Sequence, residues 1–153
     1  MKAGFALIAL ALSAGTAGAT CSADRVTIIG GFGQAPFSVT IADDPAERSK
    51  GLMFVENMPT MTGMLFAYEE PQPASFWMRN TLIPLDMLFA DPAGRILTIH
   101  ENAVPLDETS IPGGNGVKYV LEINGGMASR LGIAVGDVMQ HPSFGTDAAA
   151  PCN

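Results

Sequence analysis

Leu85-Asp-Met-Leu-Phe-Ala90, Asp91-Pro-Ala-Gly94 and Arg95-Ile-Leu-Thr-Ile-His-Glu101 follow one another without interruption. An apolar-rich segment, a four-residue turn signal and a second segment of similar length make a hairpin pattern. Pro92 presets its backbone angle, Asp91 offers a side-chain acceptor and Gly94 tolerates conformations closed to other residues. Outward from this hairpin the same signature recurs. Phe37, Val39 and Ile41 alternate with Ser38 and Thr40, the period-two mark of a half-buried strand. Residues 64–68, 75–79, 119–124 and 137–141 read the same way, and turn signals at 71–73, 112–116 and 136–137 separate them. Many short strands without regular helices between them predict a mainly β fold, a single-domain β-sandwich or flattened barrel. A parallel sheet with crossover helices does not fit.

Two short helices are expected within this frame. Asp44 can cap a helix with Pro45 in its first turn and Glu47 near its positive end. Arg48 and Lys50 fall toward the other end, where Gly51 can stop it. A second helical turn covers residues 127–131 and ends at Gly132.

The chain has 153 residues, which suits one domain, and a net charge of −7. Eight Lys and Arg against fifteen Asp and Glu leave no basic cluster for a phosphate backbone, so no nucleic-acid partner is expected. Lys2, the apolar run at 5–12 and Ala17-Gly18-Ala19 have the form of a secretory signal cleaved after Ala19. That run is too short to span a bilayer, and no later segment is apolar enough. The expected organisation is a signal peptide at 1–19, a β-rich domain at 20–141 and a loose C-terminal tail at 142–153. The mature protein is expected to be periplasmic or secreted, with no membrane span. Cys21 and Cys152 then lie near the two mature ends. In an oxidising compartment they can pair, which would stabilise the fold by about 4–5 kcal/mol in the chain-entropy model, or remain as two free thiols.

The candidate site centres on Phe76-Trp77-Met78-Arg79-Asn80-Thr81 and Ile83-Pro84-Leu85-Asp86. Read as a strand, the first run puts Trp77, Arg79 and Thr81 on one face and Phe76, Met78 and Asn80 on the other. A guanidinium among aromatic and aliphatic neighbours needs a partner, and Asp86 and Glu122 are the candidates. Local hydrophobicity explains none of Arg48, Arg79, Asn80, Asp86 and Glu122. One reading makes Arg48, Trp77, Arg79, Asn80 and Glu122 the border of a pocket for a small polar or anionic ligand, or for a cell-envelope component. A second closes the polar residues into a buried ion-pair network that fixes strand register. A third makes Asp86 and Glu122 the acid and base of an envelope hydrolase.

In order along the chain, Arg48-Ser-Lys-Gly51-Leu52-Met53-Phe54, Gly63-Met64-Leu65-Phe66, Phe76-Trp77-Met78-Arg79-Asn80-Thr81, Pro84-Leu85-Asp86, Leu121-Glu122 with Gly125, and Gly136-Asp137 form one pattern. It resembles the family known as domain of unknown function 192, over residues 37–141. The resemblance implies a compact, mainly β, often exported domain and no assigned activity. Family members with Lys at the Arg79 position imply a retained positive charge there, not an obligatory two-pronged fork.

Met58, Met61 and Met64 raise one further alternative, because thioethers suit Cu(I) and His100 or His141 could add imidazole. Against it, Pro59 and Gly63 break any helix that would align the three sulfurs, and methionine commonly fills gaps in cores. Neither a metal site nor a cofactor is therefore expected. The sequence carries no nucleophile elbow, no paired-histidine zinc motif and no phosphate loop.

Overall fold

The computed structural model describes residues 21–152. The segment expected to be a signal peptide, with its cleavage point, lies outside the described residues. Seven strands form one sheet: β1 (Arg25–Gly30), β2 (Gly33–Ala42), β3 (Thr62–Phe76), β4 (Leu85–Ala90), β5 (Ile96–Ala103), β6 (Ile111–Asn124) and β7 (Val138–Gln140). Their order is β5-β4-β6-β3-β2-β1-β7, and the sheet curls into a half-barrel. Of the two expected forms this is the barrel. Where the curl brings the edges together, Ile96 N–H donates to the Asp137 carbonyl at 2.9 Å and Gly136 N–H to the Ile96 carbonyl at 2.9 Å. All pairings are antiparallel except β2 with β3. Two parallel neighbours need a crossover, and α1 (Pro45–Lys50) lies in it.

Local chemistry sets both helices as expected. Asp44 accepts from Glu47 N–H at 2.8 Å, Pro45 opens α1 and Gly51 closes it with a positive φ of 48°. α2 (Met127–Leu131) begins at a glycine with no cap of its own and ends at Gly132.

The alternation along each strand sends side chains to two apolar clusters. Leu65, Leu88, Leu121 and Ile123 pack with Val26, Ile28 and Phe37 on one side of the sheet. Phe66, Met87, Phe89 and Val120 pack with Met78 and Leu85 on the other. Central strands buried on both faces explain why every residue of β4 is buried. β3 and β6 run in close contact where Gly63 faces Ile123, and a β-carbon on Gly63 would collide with the Glu122 carbonyl. Gly63→Ala is expected to cost about 1–3 kcal/mol by forcing the strands apart. Urea unfolding should show this as a lower midpoint with an unchanged slope.

Two sequence expectations need correction here. Residues 142–152, the described part of the expected tail at 142–153, are not loose. Phe144 and Ala148 are buried, the Tyr119 hydroxyl donates to the Ser143 carbonyl at 3.0 Å, and Cys152 is bonded to Cys21 with Cα atoms 5.7 Å apart. Nor do residues 77–81 continue a strand. β3 ends at Phe76, and the chain then turns, with Thr81 N–H donating to the Met78 carbonyl and Asn80 at a φ of 54°.

Candidate functional site

α1, the end of β3 with the turn behind it, and β6 enclose a cavity of about 150 Å³. Arg48, Trp77, Arg79 and Glu122 all line it, joined by Lys50 and Tyr68. Four of the five residues expected to border a pocket therefore meet at one.

Glu122 is the unusual member. It stands near the C-terminal end of β6, between β4 and β3, with Met87 and Met64 in register on either side, and it is 4% exposed. Among the described residues no side chain or backbone group donates a hydrogen bond to its carboxyl, and no cation lies within 4 Å of it. No polar atom there is both sealed and unpartnered, so the carboxyl looks into the cavity. Burial penalises its charged form and pushes its pKa up to about 8. Below that pH it is a carboxylic acid, able to donate as well as accept. Tyr68 is raised as well, first by burial, with Arg48 opposing and Glu122 adding to the shift.

The cations stand toward the rim. Arg48 is pinned: Nη1 donates to the carbonyls of Asp43 and Ala67, Nη2 to Glu69, and the guanidinium lies 5.1 Å from the Tyr68 ring centre. Most of its donors are used, so its charge is what reaches the cavity. Arg79 is half exposed, 5.3 Å from the Trp77 ring centre and with Nε 4.0 Å from a Glu108 carboxylate oxygen. Lys50 is exposed and makes no salt bridge among the described residues. Trp77, 44% exposed, offers a flat apolar face beside them.

The other assignments change. Asn80 is not in the cavity wall. Its carbonyl accepts from Phe54 N–H at 2.8 Å and its amide contacts the Met53 sulfur, so it ties two loops together from a left-handed conformation that suits asparagine. Asp86 is fully buried on the opposite face of the sheet from Glu122, since Asp86 registers with Ile123 and its neighbour Met87 with Glu122. Its carboxylate accepts from Asn102, Gly126 and Ala128 N–H at 2.7–2.8 Å, supplying the cap that α2 lacks. The two carboxyls thus form no acid–base pair. The described residues form no buried ion-pair network either: Arg48 and Arg79 meet exposed glutamates, and neither Asp86 nor Glu122 has a cationic partner among them. The three methionines also separate, Met61 packing against one apolar cluster and Met58 and Met64 against the other. His141 is buried between the Ala23 carbonyl and Ser143, where desolvation lowers its pKa.

Lys50 and Tyr68 were missed by the sequence reading. The signal was present for Tyr68, which shares the parity of Phe66 and Met64 along β3 and so their face.

The family model DUF192, Uncharacterized ACR, matches residues 27–141. A crystallised protein of unknown function from Novosphingobium aromaticivorans is 46% identical, with a TM-score of 0.74 over 75% of this chain and 82% of that one. A crystallised protein from Sinorhizobium meliloti, designated a candidate transcription regulator, is 43% identical, with a TM-score of 0.74 over 80% of this chain and 95% of that one. None of the curated proteins matches.

Proposed function

We propose, from the premise that the chain belongs to the DUF192 family of uncharacterised proteins, that it is an exported binding domain for a small anionic ligand. The observation that carries this reading is the Glu122 carboxyl, buried and unpartnered, at a cavity ringed by Arg48, Lys50 and Arg79. A purely structural position would be cheaper to fill with leucine, because an unpartnered buried carboxyl costs stability. A cavity near 150 Å³ is on the scale of one that holds a benzene-sized molecule. The rim charges favour an anion in a chain whose net charge is otherwise −7. The neutral acid adds a hydrogen-bond donor to an oxygen of that anion. Export is supported by the leader-like residues 1–19 and by the Cys21–Cys152 bond, which suits an oxidising compartment. The acidic surface gives no support to a nucleic-acid role such as the Sinorhizobium relative's designation suggests.

Thermal-shift measurements with acetate, lactate, inorganic phosphate and glucose test the reading. At 100 times its dissociation constant a ligand adds about 2.7 kcal/mol, a rise of several degrees. At least one of the anions is expected to stabilise the protein and glucose is not. Arg79→Ala should weaken the binding about tenfold through loss of a charge-assisted contact. Stabilisation by none of the anions at up to millimolar concentration, or an unaltered affinity in the variant, contradicts the proposal.

A further inference from the structure

The anion pocket is not the only opening in this region. A second, open groove of about 590 Å³ lies beside it, and residues 50–53 line both. The groove is walled by Leu52, Met53, Phe54, Val55, Met58 and Met64. Lys50 is its charged residue and is also at the anion pocket. A polar, cation-rimmed cavity and an apolar groove therefore share one wall, with a lysine at their junction.

The mouth of the groove is built at a conformational cost. Phe54 is 66% exposed and has a φ of 64°, a backbone conformation that a bulky residue rarely adopts. Its N–H is held by the Asn80 carbonyl at 2.8 Å, so the turn carrying Trp77 and Arg79 fixes the groove lip. Strain that keeps a large aromatic ring in water is a feature of binding surfaces. Three methionines in the wall add side chains that adjust to irregular apolar shapes.

We infer that the ligand is an aliphatic monocarboxylate, its head group in the Glu122 pocket and its hydrocarbon chain in the groove between Leu52 and Met64. This rests on the anion-binding reading above and adds the tail to it. Charge complementarity commits the occupant: the head must be anionic to meet Arg48, Lys50 and Arg79, and the tail must be apolar to meet the groove. A short anion such as acetate satisfies the first cavity only, and a neutral hydrocarbon the second only.

Isothermal titration of the disulfide-bonded protein with butyrate, hexanoate, octanoate and decanoate, each below its micelle concentration, separates the two claims. Affinity is expected to rise about fourfold per added methylene, following the free energy of burying each one, until the groove is full. Octanol at equal chain length is expected to bind at least tenfold more weakly than octanoate. Phe54→Ser, at an exposed position, is expected to flatten the chain-length series, bringing the affinities of octanoate and decanoate down toward that of butyrate. A flat series in the unaltered protein, with butyrate still bound, overturns the groove assignment and leaves the anion pocket standing. Octanol binding as tightly as octanoate would mean that the head group contributes nothing, and overturns the monocarboxylate assignment. Failure of every carboxylate to bind overturns the anion pocket itself. A concentration-dependent dimer abolished by Phe54→Ser would assign the groove to a second copy of the chain instead.

Discussion

Glu122→Gln is expected to make the protein more stable at pH 7, by about 3 kcal/mol, while removing the acidic proton from the pocket. The reason is proton linkage. The folded carboxyl titrates near 8 and the ordinary value is near 4.5, so between these limits the unfolded chain is ionised and the folded one is not. A raised acid pKa contributes stability that is complete below about 4.5 and disappears as pH rises through 8, at about 1.4 kcal/mol per unit. Glutamine keeps the shape and has no charge to bury, so it escapes that loss. Urea unfolding of both proteins at pH 4 and pH 7 should show little difference at the first and a clear gain at the second. Equal stability at pH 7 would mean that the carboxyl is paired or solvated.

Breaking the Cys21–Cys152 bond is expected to have the largest effect on stability. The bond closes a loop of 131 residues, and in the chain-entropy model such a loop restrains the unfolded state by about 5 kcal/mol. Domains of this size have only about 5–15 kcal/mol in total. The Cys21→Ser, Cys152→Ser double variant should therefore melt far below the oxidised protein, and reductant should lower the melting temperature of the parent but not of the variant. The bond also anchors the C-terminal segment that carries Phe144 and Ala148 into the core. A variant that melts with the parent would show that the entropic gain is cancelled in the native state and that those apolar contacts hold the segment unaided.

What the sequence revealed and what it hid divide along local and non-local chemistry. Asp44, Pro45 and Gly51 specify α1 among themselves, and Asp91 to Gly94 specify the β4–β5 turn, so both were legible. β1 was overlooked although Val26 and Ile28 alternate with Thr27 and Ile29, because glycines at 30, 31 and 33 dominate the window. Residues 77–81 alternate like a strand, yet Met78 N–H is taken by the Asp107 carbonyl across a distant loop, and Asn80 can turn left-handed. No local pattern reports that partner. Arg48, Trp77, Arg79 and Glu122 stood out as polar or amphipathic residues in apolar surroundings. Whether they paired or opened to solvent depended on distances set by the register of β3, β6 and β4. That register put Asp86 and Glu122 on opposite faces and left Glu122 alone.

The state of the Glu122 carboxyl is the point on which the rest depends. Carbon-13 NMR titration of that side chain, assigned by comparison with Glu122→Gln, reads it directly. The expected midpoint is about 8, with the signal moving when butyrate is added. A midpoint near 4.5 with no response to butyrate would mean a solvated or paired carboxylate, and would contradict both the neutral acid and the pocket built around it.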